Sequence, residues 1–187
     1  MHLSVQKWLT AKGVFHEWAV RALERVAEVF PTGEPENAHL WNLYLHHALR
    51  ILKLTGKSSL LDQAGRTLLY NVGWCLLNSG LYNEAETICR MSALVNEWAL
   101  GPDHLDTLNS MSKLGRALNQ NDKHNEAETI FRHVLEFEKC TSALDHSDAS
   151  SHPALNLFEL LRDDGRLEDA HELSIRTLNQ MVKSLGP

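Results

Sequence analysis

Apolar residues recur along this chain at three- and four-residue spacing, and alternation with a period of two is nowhere sustained. The triplets Leu69/Val72/Leu76, Met111/Leu114/Leu118 and Ala154/Leu157/Leu161 each place their side chains along one side of a helix, as a core-facing stripe requires. Proline stands only at positions 31, 35, 102, 153 and 187, so the long intervals between these breakers are free to be helical. The pattern predicts helices over about 60–79 and 81–98, 103–120 and 123–139, and 149–164 and 167–184, with short turns NSGL, NQND and DDGR inside each pair. Two further amphipathic helices are expected at about 13–30 and 36–53, separated by the breaker PTGEPE at Pro31–Glu36.

The pairs are copies of one another. YNEAETI at Tyr82–Ile88 returns as HNEAETI at His124–Ile130, a shift of 42 residues, and LEDA at Leu167–Ala170 continues it at a shift of 43. The loop GPDHLD at Gly101–Asp106 is echoed by ALDHSD at Ala143–Asp148, and LGP closes the chain at Leu185–Pro187. Self-similarity at this period marks stacked helix pairs whose apolar faces cover each other. The expected fold is all-α: a right-handed superhelical solenoid of antiparallel helix pairs. Residues 1–58 are expected to form an N-terminal helical cap or a divergent first repeat, and residues 59–187 three helix pairs.

Composition narrows the function. Eighteen Lys and Arg stand against 24 Asp and Glu, for a formal charge of −6, with both signs scattered rather than blocked. This balance argues against nucleic acid and against an anionic membrane as partner. The longest uncharged run, Thr67–Asn83, contains Asn, Ser and Gly and falls short of the ~20 apolar residues of a membrane span. MHLSVQKWLTAK at the N-terminus lacks the apolar stretch of a signal peptide. Cys75, Cys89 and Cys140 form no CxxC and cannot all pair, which suits a reducing, cytoplasmic setting.

The units resemble tetratricopeptide repeats of the long, kinesin-light-chain type. Leu100–Leu108 reads LGPDHLDTL, Lys123–Glu128 reads KHNEAE, Gly73 and Gly115 occupy the small position of the first helix, and Ala85, Ala127 and Ala170 that of the second. Phe158 replaces the small residue in the third unit, which is expected to alter its tilt. VQKWL at Val5–Leu9 and AEVFPTGEPENAHLW at Ala27–Trp41 are similar to the segment linking nucleotide-binding and repeat regions in fungal STAND proteins. That likeness implies a sensor or scaffold portion of such a regulator.

Residues of the first helices that do not face the core should line the concave surface. In the first unit these are Asn71, Trp74 and Asn78. The repeat shift gives Lys113, Arg116 and Gln120, with Asn109 and Ser112 beside them, and then Asn156, Glu159 and Asp163, with His152 and Arg162 adjacent. The resemblance implies that Asn71 and Asn156, with Lys113 between them as a departure, hold a peptide main chain. Lys113, Arg116 and Arg162 make the groove mildly positive, so the expected partner is a protein or peptide carrying an acidic residue. Trp74 is a candidate partner anchor, whereas Trp8, Trp18, Trp41 and Trp98 fall at apolar helix positions and are expected in the core.

Catalytic and metal chemistry find no support. GKSSL at Gly56–Leu60 has the tail of a phosphate loop, but Ile51 stands where its first Gly is required. Among eleven histidines, His16-Glu17 and His171-Glu172 lack the second His of a zinc motif, and His46 and His47 point to different sides of a helix. Neither a cofactor nor a metal is expected, and no catalytic residue is assigned. Homo-oligomerisation or an intramolecular regulatory contact stays open as a second class of function, and an enzyme on a helical scaffold as a third.

Overall fold

The computed structural model of the chain describes residues 15–31, 38–140 and 153–185. These residues form nine helices and no strand: α1 (Phe15–Val29), α2 (Ala38–Leu54), α3 (Lys57–Leu60), α4 (Gln63–Asn78), α5 (Tyr82–Leu100), α6 (Leu105–Gln120), α7 (His124–Cys140), α8 (Pro153–Asp163) and α9 (Leu167–Leu185). Eight of them fall close to the predicted bounds; the single turn α3 was not anticipated. Trp8, His152 and the loop ALDHSD lie outside the described residues.

The order of contacts is that of a solenoid. α4 pairs with α5, α6 with α7 and α8 with α9, and each pair packs on the next; α1 and α2 pack on each other and on α4. The first helices α4, α6 and α8 also touch in succession, so they lie side by side as one surface. One core runs the length of the stack, from Leu23 and Trp41 through Leu69, Val72, Leu114 and Phe131 to Leu157 and Leu161.

Small residues set the spacing within pairs. A methyl group added at Gly73 would stand 2.8 Å from Cys89 Sγ, and one at Gly115 only 2.6 Å from the Phe131 ring. Ala85, Ala127 and Ala170 are all buried. At the corresponding pair in the third unit the sizes are exchanged: Phe158 stands on the first helix and Ser174 on the second. A volume-conserving exchange is the kind a packed interior tolerates best.

The turn inside each pair has one hydrogen-bond design. Gly80 N–H donates to Leu77 O and Leu81 N–H to Leu76 O; Asp122 and Lys123 do the same to Asn119 and Leu118, and Gly165 and Arg166 to Arg162 and Leu161. These are Schellman caps, which need a left-handed residue after the helix. Gly80 and Gly165 supply it with φ of 73° and 74°, and in the middle unit Asp122 does so with φ of 60°.

Between units an ion-pair clamp is repeated. Glu86 accepts from Lys123 at 2.7 Å, from Arg90 at 3.1 Å and from Asn121 at 2.8 Å. One period on, Glu128 accepts from Arg166 and Arg132, each at 2.7 Å. Arg90 also reaches Glu126 at 2.8 Å, and His124 Nδ1 meets Asp164 Oδ1.

Of the three described tryptophans expected in the core, one is there. Trp41 is buried, but Trp18 is exposed and Trp98 is 82% exposed. For Trp98 the reason lies in α5, whose inward face carries Ala85, Cys89, Ser92, Ala93 and Asn96, all buried. The Ser92 hydroxyl and the Asn96 side-chain N–H bond there to Ser110 Oγ, at 3.2 and 2.7 Å. Polar groups that pair with one another occupy the inside, and the opposite face, with Met91, Leu94 and Trp98, points outward.

Candidate functional site

The surface formed by α4, α6 and α8 carries the residues expected to line the groove, and its centre differs from expectation. Lys113 is 3% exposed. Its Nζ lies 3.4 Å from the centroid of a Trp74 ring and 4.5 Å from that of Tyr70, while the Arg116 guanidinium carbon stands 4.8 Å from the Trp74 ring. The negative ring faces compensate part of the cost of burying the ammonium. Lys113, read from the sequence as a groove cation facing an acidic residue of the partner, is thus covered by two aromatic rings. Trp74, the candidate partner anchor, is half-buried and spends its ring on Lys113 and Arg116.

Cavities lie to either side of this stack. One, of about 270 Å³, is lined by Gln63, Arg66, Thr67, Tyr70, Asn96, Asp106 and Asn109. The Asn96 side chain donates there to Ser110 Oγ and to the Asp106 carbonyl at 3.3 Å, and its buried Oδ1 has no hydrogen-bond partner. The other, of about 240 Å³, is bounded by Leu77, Tyr82, Arg116, Asn119, Gln120, Phe131, Leu155, Asn156 and Glu159, and so draws on all three units. Asn156 is 6% exposed, and its Nδ2 has no hydrogen-bond partner. A buried amide donor left unpaired costs ~1–3 kcal/mol and is a group that a ligand's oxygen would satisfy.

The remaining candidates divide by exposure. Asn71 and Asn109 are half-buried, and Asn78, Gln120 and Glu159 are exposed. Arg162 is exposed and bonded to its neighbour Asp163 at 2.8 Å. Ser112, expected beside the groove, is buried and donates to the Leu108 carbonyl of its own helix at 3.1 Å, which leaves no hydroxyl proton for a partner. Tyr70, Asn96 and Asn119 were missed by the sequence reading. The signal for Tyr70 was its place one turn from Trp74 on the same face; Asn96 lies on a second helix, where no groove residue was sought.

Burial makes the thiols inert. It pushes Cys75 up to about 11, and Cys89 up to about 12 against the opposing pull of Lys113 and Arg116. Among the described residues there is no cluster of three His, Cys, Asp or Glu able to hold a metal ion, and no helix long and apolar enough to cross a membrane.

Comparison with known proteins agrees with this geometry. Residues 66–138 match the tetratricopeptide repeat family. A nucleotide-binding leucine-rich repeat (NLR)-like protein of Hyaloscypha variabilis is 30% identical over 112 residues, which is 60% of this chain and 11% of that protein. Among solved structures, a kinesin-light-chain-type protein of Podospora anserina with nearly identical TPR-like repeats superposes with a TM-score of 0.59 at 18% identity, covering 98% of this chain and 95% of that one. A single-residue variant of that protein gives the same TM-score at 17% identity, covering 98% and 94%. The stretch 66–138 therefore carries tetratricopeptide repeats, and the chain shares the helical-repeat fold of those kinesin-light-chain-type structures.

Proposed function

We propose that the surface of α4, α6 and α8 holds an extended peptide and receives one of its acidic side chains at Arg116 and Asn156. The observation that carries this reading is the unpaired, buried Asn156 Nδ2 lining a cavity shared by three units. An amide N–H beside a guanidinium calls for an oxygen with negative charge, and a carboxylate accepts from both. Lys113 takes no direct part; its charge, held under Trp74 and Tyr70, adds to the field at the groove floor. The acidic preference stays as the sequence suggested, and its receptor moves one turn along α6.

The test is selection of a random peptide display library on the immobilised protein, followed by calorimetric titration of the enriched peptides. Enrichment of Asp or Glu is expected, with affinity reduced at least ~10-fold by Asn156→Ala and little changed by Asn78→Ala at the exposed rim. Equal binding of peptides lacking any acid, or indifference to Asn156→Ala, would reject the reading.

A regulatory setting is supported by the NLR-like relative, of whose length this chain covers 11%. In that reading the groove is the sensor part of a nucleotide-dependent regulator. Replacing the matching 112 residues of that relative by this chain should make its nucleotide affinity respond to the selected peptide; an unresponsive affinity would remove the sensor role.

A further inference from the structure

In the two cavities that flank the Lys113 stack, a buried asparagine atom lacks a hydrogen-bond partner, and the two atoms are of opposite kind: Asn156 Nδ2 is a donor and Asn96 Oδ1 an acceptor. The orientation of the Asn96 amide is fixed by its surroundings. Its Nδ2 donates to Ser110 Oγ at 2.7 Å and to the Asp106 carbonyl at 3.3 Å. A carbonyl only accepts, so turning the amide over would set oxygen against oxygen. Asn96 is 2% exposed and lines the cavity of about 270 Å³ between α4 and α6, whereas Asn156 lines the one between α6 and α8.

The residues around Asn96 narrow what can satisfy it. Among those lining the cavity, Asp106 is exposed and Arg66, half-buried, donates to the Leu61 carbonyl; the others are neutral. One carboxylate and one guanidinium leave no net charge, so a cationic side chain gains nothing from Asp106 that Arg66 does not oppose. A ligand carboxylate would set a second acceptor against Asn96 Oδ1, and an apolar group would leave that oxygen unpaired. A hydroxyl has a single proton to offer. A primary carboxamide has two N–H groups and an oxygen, enough to donate to Asn96 Oδ1 and Asp106 and to accept from Arg66. We propose that this cavity takes the side-chain carboxamide of a glutamine or asparagine, a second recognition point on the same ligand; the inference rests on the reading that α4, α6 and α8 hold an extended peptide.

Geometry sets the spacing of the two recognition points. Asn109 and Arg116, one in each cavity lining, stand about two turns apart on α6, ~11 Å along its axis, and the cavities lie on opposite flanks of that helix, ~9 Å apart across it. An extended chain covers the resulting ~14 Å in about four residues. The experiment is selection on the immobilised full chain of a display library with one fixed Glu and randomised residues on both sides. A selected peptide is then titrated calorimetrically against its Gln→Glu, Gln→Met and Gln→Lys versions. Gln or Asn should be enriched about four residues from the Glu, and each replacement should weaken binding at least ~10-fold. Asn96→Leu, with unchanged helical circular dichroism, should bring the Gln and Met peptides within ~3-fold of each other, while Asn156→Ala, at the other end, should leave their ratio unaltered. Should Asn96→Leu unfold, the peptide versions decide alone, because they need no altered protein. Binding that depends on the Glu and on Asn156 but shows no preference at the second position overturns this inference alone, water filling the cavity; a Lys peptide as tight as the Gln peptide overturns it in favour of a cation. A Gln preference that persists without the Glu supports the carboxamide subsite and rejects the acidic one, and a library from which nothing is enriched overturns both.

Discussion

At the residue scale the interior of each helix pair depends on how one side chain fills the space that another leaves. Phe131 is fully buried and lies over Gly115, whose missing Cβ is what admits the ring. Gly115→Ala puts a methyl 2.6 Å from that ring, so the buried ring must shift to admit it. A loss of about 1–3 kcal/mol is expected in urea denaturation, the usual cost of overpacking. Adding Phe131→Leu to Gly115→Ala should recover part of the loss, so that the two changes together cost less than their sum. Additive losses would show that the contact is not the source. The sequence made this approach legible, because Gly73, Gly115, Ala85, Ala127 and Ala170 recur with the period. It did not reveal Lys113 as buried. A lysine on a helix reads as solvated, and only the neighbouring unit supplies Trp74 and Tyr70 as its cover.

Elements are joined by the repeated clamp, and its energetics can be read through pH. Hydrogen bonding from Lys123, then Asn121 and Arg90, outweighs the effect of burial and holds the Glu86 carboxyl at about 2, below its ordinary 4.5. Glu128 is lowered in the same way, chiefly by Arg166. A carboxyl depressed in the folded state stabilises it fully above the ordinary value, and that contribution is lost as pH falls through 4.5 toward 2. Glu86→Gln should therefore be less stable than wild type at neutral pH, with the gap between them narrowing from about pH 4.5 to pH 2. Urea melts at pH 7, 4 and 3 check this; a gap independent of pH would assign the effect of Gln to packing. The clamp residues are visible in the sequence as the recurring E-x-x-x-R of Glu86–Arg90 and Glu128–Arg132. Their partners are not, because Lys123 and Arg166 sit in turns that come into reach only when the units stack. The outward face of α5 is a similar case: Trp98 reads as core until Ser92 and Asn96 are seen to bond to Ser110 inside.

On the scale of the whole molecule, a stack in which each unit touches only its neighbours has a stability that varies along its length. The middle is anchored on both sides. α4 and α6 bury eight and nine residues respectively, and α5 is held from both flanks. α9 is held from one side, by α8, and Ala170 is its buried residue among those whose side chains are described. Local opening should follow this gradient, because the free energy of opening tracks the apolar area that an element loses. In native-state hydrogen exchange, amides of Leu68–Leu76 and Leu108–Leu118 should be the slowest and those of Ala170–Thr177 at least ~10-fold faster. Phe131→Leu, which loosens the joint between the second pair and its neighbours, should speed α8 and α9 more than α4. Uniform exchange across all helices would mean that the stack opens as one cooperative unit, and the asymmetry between its two flanks would then have no mechanical consequence for a ligand held across three units.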